Sequence, residues 1–435
     1  GSLEVTQEYP SIRPTLDLNF AATKSLDRRI TFTRDSLGTY TDDMGILKYA
    51  SNNAPRFHHD FGTGESLGLL IEESRTNNLT YSQDFVGQWT NQNFVRTANY
   101  AIAPDGTQTA TRLQAPSVTD PGSSAYLMRV YLPVNYGSGV TVTFSVFVKP
   151  ITTTSTYSPQ PPDGATVQAR DLYLHLTLEG GGGSSWFNLN TKETGTNVTA
   201  VQYGNGWWRV SYTGTTTSAD AQNQHFIWLA NRSGASSFDP YPDGNEDIYI
   251  WGAQSEVGSF ATSYIPTSGS TVTRAADLTK ITGTNFTDFY NQNEGSTVFE
   301  AKTFNGSPGN VYYGEIGRGS SNRNVMYRNT SSGNAILFYV SGGSTVVNSL
   351  SSGAPSQVNT NVVTAYAYKE NDFGVFASGG YSSTDTSGNV IDNANSFSIG
   401  MNNINSGEHL NGTIKRLSYY NKRLPNAQLQ GLTQQ

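Results

Sequence analysis

The chain has 435 residues, of which 36% are hydrophobic, 12% aromatic and only 14% charged, and it contains no cysteine. A formal net charge of −7 without a lysine or arginine run argues against a nucleic-acid groove or an anionic-membrane patch, and no apolar stretch approaches the ~20 residues that cross a bilayer. The length exceeds one ordinary core, so two or three domains are expected; 25 tyrosines, 20 phenylalanines and 44 glycines favour short strands and turns over long helices or disorder.

Gly1-Ser2-Leu3-Glu4 reads as a cloning remnant, which leaves a removed signal peptide open. Residues 1–78 form a strand-and-turn segment. Asp42-Asp43-Met44-Gly45 and Phe61-Gly62-Thr63-Gly64 have hairpin-turn chemistry, and Leu67-Gly68-Leu69-Leu70-Ile71-Glu72 is a strand-like run. Its apolar runs are too few for a core, so it is expected to pack on the next domain or around a neighbouring subunit.

Residues 79–268 carry a clear period of two. Val140, Val142, Phe144, Val146 and Val148 alternate with Thr141, Thr143, Ser145, Phe147 and Lys149; Leu172, Leu174, Leu176 and Leu178 alternate with Asp171, Tyr173, His175 and Thr177. Further strand candidates are 207–212, 225–230 and 247–251, and Gly180-Gly181-Gly182-Gly183 reads as a loop tip. Many strands at this spacing predict a two-sheet sandwich of jelly-roll type. After the link Ile265-Pro266-Thr267-Ser268-Gly269, residues 269–435 repeat the style, with strands predicted over 297–303, 335–340, 361–369, 373–377, 397–400 and 412–420. Only 425–432 look helical, with Pro425 at the entry and Leu429 and Leu432 three apart. The fold class expected is all-β, with two tandem β-sandwich domains behind the N-terminal segment.

Three stretches near the start carry a resemblance: Phe32-Thr33-Arg34-Asp35-Ser36, Asn53-Ala54-Pro55-Arg56-Phe57, and Leu70-Ile71-Glu72-Glu73-Ser74-Arg75-Thr76-Asn77-Asn78-Leu79. So do Asn205-Gly206-Trp207-Trp208-Arg209-Val210 and the run from Trp251-Gly252-Ala253-Gln254 to Ser263-Tyr264-Ile265-Pro266-Thr267. In order and spacing they resemble phage head-spike and tail-fibre proteins, whose signature leads into a carbohydrate-binding-module-like jelly roll. The ending Gly412-Thr413-Ile414-Lys415-Arg416-Leu417-Ser418-Tyr419-Tyr420, with Leu424-Pro425, resembles a concanavalin A-like (laminin-G type) lectin domain over 269–435. The resemblance implies a virion-surface protein, made in the host cytoplasm, that contacts host glycans and other virion proteins as a homotrimer. Absence of cysteine agrees with folding in a reducing cytoplasm.

Candidate chemistry stands beside simpler readings. Gly64-Glu65-Ser66-Leu67-Gly68 matches the serine-hydrolase pattern, but its context reads as a turn leading into a strand rather than an elbow. In His58-His59-Asp60 only the first and third share a strand face, so surface or structural roles are expected. Asp239, Asp243, Asn245 and Asp247 form the densest oxygen cluster and are the candidate ligands for calcium, the one cofactor suggested; the competing reading is a solvated turn around Gly244. For glycans, Trp186 beside the glycine tip leads, with Tyr126 and Tyr173 behind it and Trp208 as a further platform. In the third segment Tyr313, Tyr381, Asn402 and His409 fall in or next to predicted loops. No carboxylate pair for a glycosidase stands out, and no catalytic residue is assigned. The function expected is a non-enzymatic adhesin. A purely structural head-decoration or tail-assembly protein and a polysaccharide-degrading spike are the alternatives.

Overall fold

The computed structural model describes residues 12–118, 127–155, 170–217, 224–231, 233, 242, 244–304, 310–319, 322–329, 335–341, 346–348, 359–403 and 408–434. It is an all-β protein with short helical turns. Thr141–Pro150 pairs with Trp208–Thr215 on one side and Asp247–Val257 on the other, in a six-stranded sheet completed by Val198–Gln202, Ala110–Gln114 and Val95–Ala101. Opposite lies a five-stranded sheet in the order Gly183–Asn188, Tyr173–Leu178, Gln224–Ala230, Met128–Pro133, Thr90–Gln92. Alternation points Val142, Phe144, Val146 and Val148 at Leu174, Leu176, Leu178, Ile227 and Leu229, and these close one core. Each such side chain contributes about 1.5–3 kcal/mol by leaving water. His225 sits inside this core between the Phe144 and Tyr136 rings, with Nε2 2.8 Å from Ser255 Oγ.

The outer face of the six-stranded sheet is not the solvated face that alternation alone suggests. Phe147, counted with the outward set, is fully buried with Tyr203, Trp207, Trp251, Tyr264 and Leu47 in a second core. Leu47 comes from the N-terminal segment, which covers this face.

The other sandwich is built by both ends of the chain. One sheet runs Tyr381–Asp385, Phe373–Ala377, Asn361–Lys369, Glu294–Thr303, Gly412–Tyr420, Ser66–Ile71, Phe57–His59, and Leu16–Asn19 also pairs with Gly412–Tyr420. The second runs Thr31–Thr33, Leu278–Thr282, Ser396–Ile399, Asn310–Gly317, Arg323–Asn329, Ala335–Ser341, Val346–Asn348. Leu16, Leu18, Phe20, Leu69 and Ile71 therefore enter the same core as Phe299, Phe397 and Leu417. The first segment thus packs on the jelly roll through Leu47 and, beyond what its sequence suggests, also supplies strands to the carboxy-terminal sandwich. Its strands complete the carboxy-terminal sandwich, because they hold the apolar residues that the sandwich's own strands leave uncovered. Tandem order gives way to nesting. The chain leaves for the jelly roll along Arg75–Asn77 and returns along Val272–Arg274, which pair antiparallel as a neck.

Beside the neck lies a buried charge cluster. Arg34 Nη1 is 3.1 Å from Asp277 Oδ1, Arg56 Nη2 is 2.5 Å from Asp277 Oδ2, and Arg56 Nη1 is 2.8 Å from Glu72 Oε2. Arg274 stands 3.5 Å from the same Glu72 oxygen, and all five side chains are essentially without solvent exposure. Burial alone would raise the Glu72 carboxyl, yet Arg274, Arg56 and two hydrogen bonds from Ser263 hold it far below the usual carboxylate range. Breaking a buried pair leaves an uncompensated charge at about 3–5 kcal/mol. Asp277→Ala, which removes the carboxylate from Arg34 and leaves Arg56 to Glu72 alone, is expected to cost that much in urea denaturation; a loss under about 1 kcal/mol would show the cluster to be energetically idle.

Acid sensitivity follows from the same burial. Burial lowers His58 to about 4, assisted by Arg56, and lowers His225 to about 3. The unfolded chain takes up these protons near pH 6.5 while the folded chain refuses them. Stability is therefore full above pH 6.5 and falls as pH drops toward 4, by up to about 1.4 kcal/mol per pH unit per histidine. Glu72 adds loss in the same direction below its unfolded value. Denaturation series at pH 7.5, 6 and 5 should show this decline, with a shallower slope in His225→Phe. Parallel slopes in the two proteins would contradict the assignment.

Candidate functional site

The alternation that buries Leu174, Leu176 and Leu178 turns Tyr173, His175 and Thr177 to the opposite face of the five-stranded sheet. Strand register then lines up Trp186, His175, Trp228, Arg129 and Gln92 in one row across all five strands. The adjacent row is Ser184, Thr177, Phe226, Tyr131 and Thr90. Cross-strand neighbours on one face pack directly. Here they make an aromatic strip.

His175 stacks on Trp228 with ring centroids 4.1 Å apart at 29°. Tyr173 meets Trp186 edge-on at 5.2 Å and 84°. The Trp228 indole N–H donates to Thr177 Oγ1 at 2.9 Å. The Arg129 guanidinium lies 4.4 Å over the Phe226 ring, and its Nε donates to Gln92 Oε1 at 2.7 Å. Trp228, His175 and Phe226 are buried, with only 9%, 3% and 3% of their surface exposed, while Trp186, Tyr173, Tyr131 and Arg129 are half-buried. At the sheet edge, Gly195 N–H donates to the Trp186 carbonyl at 2.8 Å. A Cβ on Gly195 would come within 3.0 Å of the Trp186 ring nitrogen, so glycine leaves room for the indole. Asp171, at the end of the strip, accepts from Asn188 and Asn190 amides at 2.8 and 2.9 Å. Burial and the Asp171 charge push the Tyr173 phenol up, so it remains a neutral hydroxyl. Aromatic faces edged by amide, hydroxyl and guanidinium donors suit ligands with apolar C–H faces and ring hydroxyls.

Of the residues singled out from sequence, Trp186 and Tyr173 come together here. Tyr126 lies outside the described residues. Trp208 is half-buried against the jelly-roll core, 5.5 Å from the Phe187 ring. Three of the third-segment candidates are corrected. Tyr313 is 1% exposed in the sandwich core, because its strand turns it inward beside Phe299. Asn402 is 2% exposed and gives its amide to Glu408, and His409 is 1% exposed in a bridge with Met401. Tyr381 packs, half-buried, on the same core. His175, Trp228, Phe226, Tyr131 and Arg129 were missed. Their signal was present in His225-Phe226-Ile227-Trp228-Leu229, where aromatic residues occupy the phase that a solvated sheet face would fill with polar ones.

Among the proposed calcium ligands, Asp239 and Asp243 lie outside the described residues. Asp247 is committed to Arg112 at 2.7 Å, and the Asn245 carbonyl accepts from Thr152. Among the described residues no group of three or more histidines and carboxylates is placed to hold a metal. Ser66 opens the strand Ser66–Ile71 rather than a helix. Gly68 there has φ 86°, and a Cβ would sit 2.1 Å from the Ile414 carbonyl oxygen, so this glycine serves close strand approach.

No family model matches the chain, and no curated protein matches it either. Two solved structures are similar in part. One is the mouse laminin alpha1 chain, domains LG4-5, at 9% identity, covering 72% of this chain and 93% of the other with a TM-score of 0.25. The other is the N-terminal CBM22-1-CBM22-2 tandem domain from Paenibacillus barcinonensis Xyn10C, at 10% identity, covering 80% and 99% with a TM-score of 0.23. Superpositions at this level align no residue of one site with another, and the fold rests on the sheets above.

Core burial separates Tyr313 from a ligand role in a measurable way. Tyr313→Ala should cost about 3–5 kcal/mol in denaturation, as large aromatic deletions from cores do. A variant of unchanged stability would place the ring outside the core.

Proposed function

We propose that the protein is a glycan-binding adhesin of a phage virion, acting without catalysis, with the outer face of the five-stranded sheet as its sugar site. The observation that carries this reading is the register-aligned strip of Tyr173, Trp186, His175, Trp228, Phe226 and Tyr131. A sheet face that needed only solubility would carry charged and small polar residues there. Its half-buried rings, Trp186, Tyr173 and Tyr131, offer faces to a ligand with Thr177, Gln92 and Arg129 as polar neighbours, while the buried His175, Trp228 and Phe226 pack the strip; the mixture suits neutral saccharides. Its one named carboxylate, Asp171, has both oxygens engaged by amides, which suits orientation better than acid–base work. The virion assignment draws on the sequence resemblance in the amino-terminal stretches. Display as a homotrimer would raise weak single-site affinity by avidity.

The test is a glycan array probed with the whole protein, followed by titration of the best sugar against Trp186→Ala and Tyr173→Ala. Loss of a platform ring at a binding hot spot is worth about 1.4 kcal/mol or more, so at least tenfold weaker binding is expected with the fold retained. An array silent across host polysaccharides would favour the structural decoration role. Falling viscosity of a bound polymer would select the degrading spike.

A further inference from the structure

A second concave site lies on the opposite side of the jelly roll, where that domain, the amino-terminal strands and the carboxy-terminal sandwich meet. It is a cavity of about 660 Å³, within the roughly 300–1,000 Å³ range of small-ligand sites. Three kinds of group line it. Phe61 stacks on Tyr203 at 3.8 Å and 27°, and Phe304 closes edge-on against His58 at 6.0 Å. A row of hydroxyls, Ser211, Thr213 and Thr215, comes from alternate positions of one strand, with Thr199 beside it on the next. The third group is cationic.

Two donors in that group are unmatched. Lys302 reaches the cavity from a strand of the sandwich, half-buried, and its ammonium makes no hydrogen bond or direct ion pair with a described residue. Arg209 is 7% exposed; its Nη atoms are engaged by Thr262 and Ser145, while the buried Nε has no partner. Two carboxylates, Glu72 and Asp60, line the same cavity, and the Lys302 charge helps to hold Asp60 low, but both already have closer partners. Glu72 is bound to Arg56 and Ser263. Asp60 spends Oδ1 on the Gly62 and Thr63 amides and the Thr63 hydroxyl. His58 accepts the Thr41 N–H on Nδ1 and, buried, stays neutral near pH 7. A wall of rings and hydroxyls, with an ammonium that makes no direct ion pair and a buried guanidinium nitrogen without a partner, suits a ligand with C–H faces, hydroxyls and a negative charge.

We propose that this cavity binds an acidic saccharide, one or two sugar units carrying a carboxylate that pairs with Lys302. The site is separate from the aromatic strip and does not depend on it.

The experiment is calorimetric titration of the full chain with digalacturonate and 3′-sialyllactose, each against its neutral counterpart, digalactose and lactose. Wild type, Lys302→Gln, Trp186→Ala and Thr199→Trp are compared, with melting curves to confirm folding. Thr199 is at the exposed rim, so a tryptophan there plugs the opening without altering the charges. At least one acidic sugar should bind at least tenfold more tightly than its neutral partner. Lys302→Gln should remove that preference, Thr199→Trp should abolish binding, and Trp186→Ala should leave both unchanged. The proposal is overturned if neither acidic sugar binds, if acidic and neutral sugars bind alike, if Lys302→Gln has no effect, or if the preference responds to Trp186→Ala instead.

Discussion

The structure depends most on the sealed charge cluster of Arg34, Arg56, Arg274, Glu72 and Asp277. Three of these residues precede the jelly roll in sequence and two follow it. Arg56 and Glu72 pair within the first segment, but Asp277 finds Arg34 and Arg56 only across the two segments, as Arg274 does Glu72, and none reaches water. The folded state is therefore one in which the outgoing and returning chains are held side by side. Asp277 does most of this, because it accepts from Arg34 and Arg56 and also takes the Glu72 backbone N–H at 2.9 Å. A pair of well-packed apolar residues would stabilise about as much. What the ions add is directional pairing, which ties particular oxygens of one segment to particular nitrogens of another.

That pairing decides which sheet faces are free. By fixing the amino-terminal segment against the six-stranded sheet, it buries Phe147, Trp251 and Tyr264 and leaves a hollow where Thr199, Ser211 and Thr213 face His58 and Phe61. On the five-stranded sheet the middle of the aromatic rows, His175, Trp228 and Phe226, is buried, and the rows run out to half-buried Trp186 and Tyr173 at the edge. Two surfaces of different character thus arise from the two sides of one sandwich, whose sheets are about 10 Å apart.

Strand existence was legible because period-two alternation is local. Thr141–Pro150, Tyr173–Leu178 and Gly412–Tyr420 follow from their own residues. What alternation does not encode is which face another segment will cover. Phe147 belongs to the polar phase of its strand and is buried all the same. Partner choice was equally hidden: Leu16–Asn19 and Ser66–Ile71 read as extended apolar runs, but nothing local says that they pair with a strand some 350–400 positions later. The site divides the same way. Trp186 and Tyr173 were found by chemistry and proximity in sequence, whereas Trp228, Tyr131 and Arg129 join them only through register. Tyr313, Asn402 and His409 were misplaced because a residue beside a loop points inward or outward according to its strand phase, and composition alone does not report that phase.

The antiparallel neck of Arg75–Asn77 and Val272–Arg274 means that the jelly roll is spliced into its host at a single doorway. Entry and exit sit on adjacent strands, and every hydrogen-bonded strand of the host sandwich lies before or after the doorway. Such a cassette is exchangeable. A different domain with closely spaced termini could replace this one while the host retains its sheets and its apolar interior. Change would then concentrate in the inserted unit, and the host sandwich would stay constant as the mount.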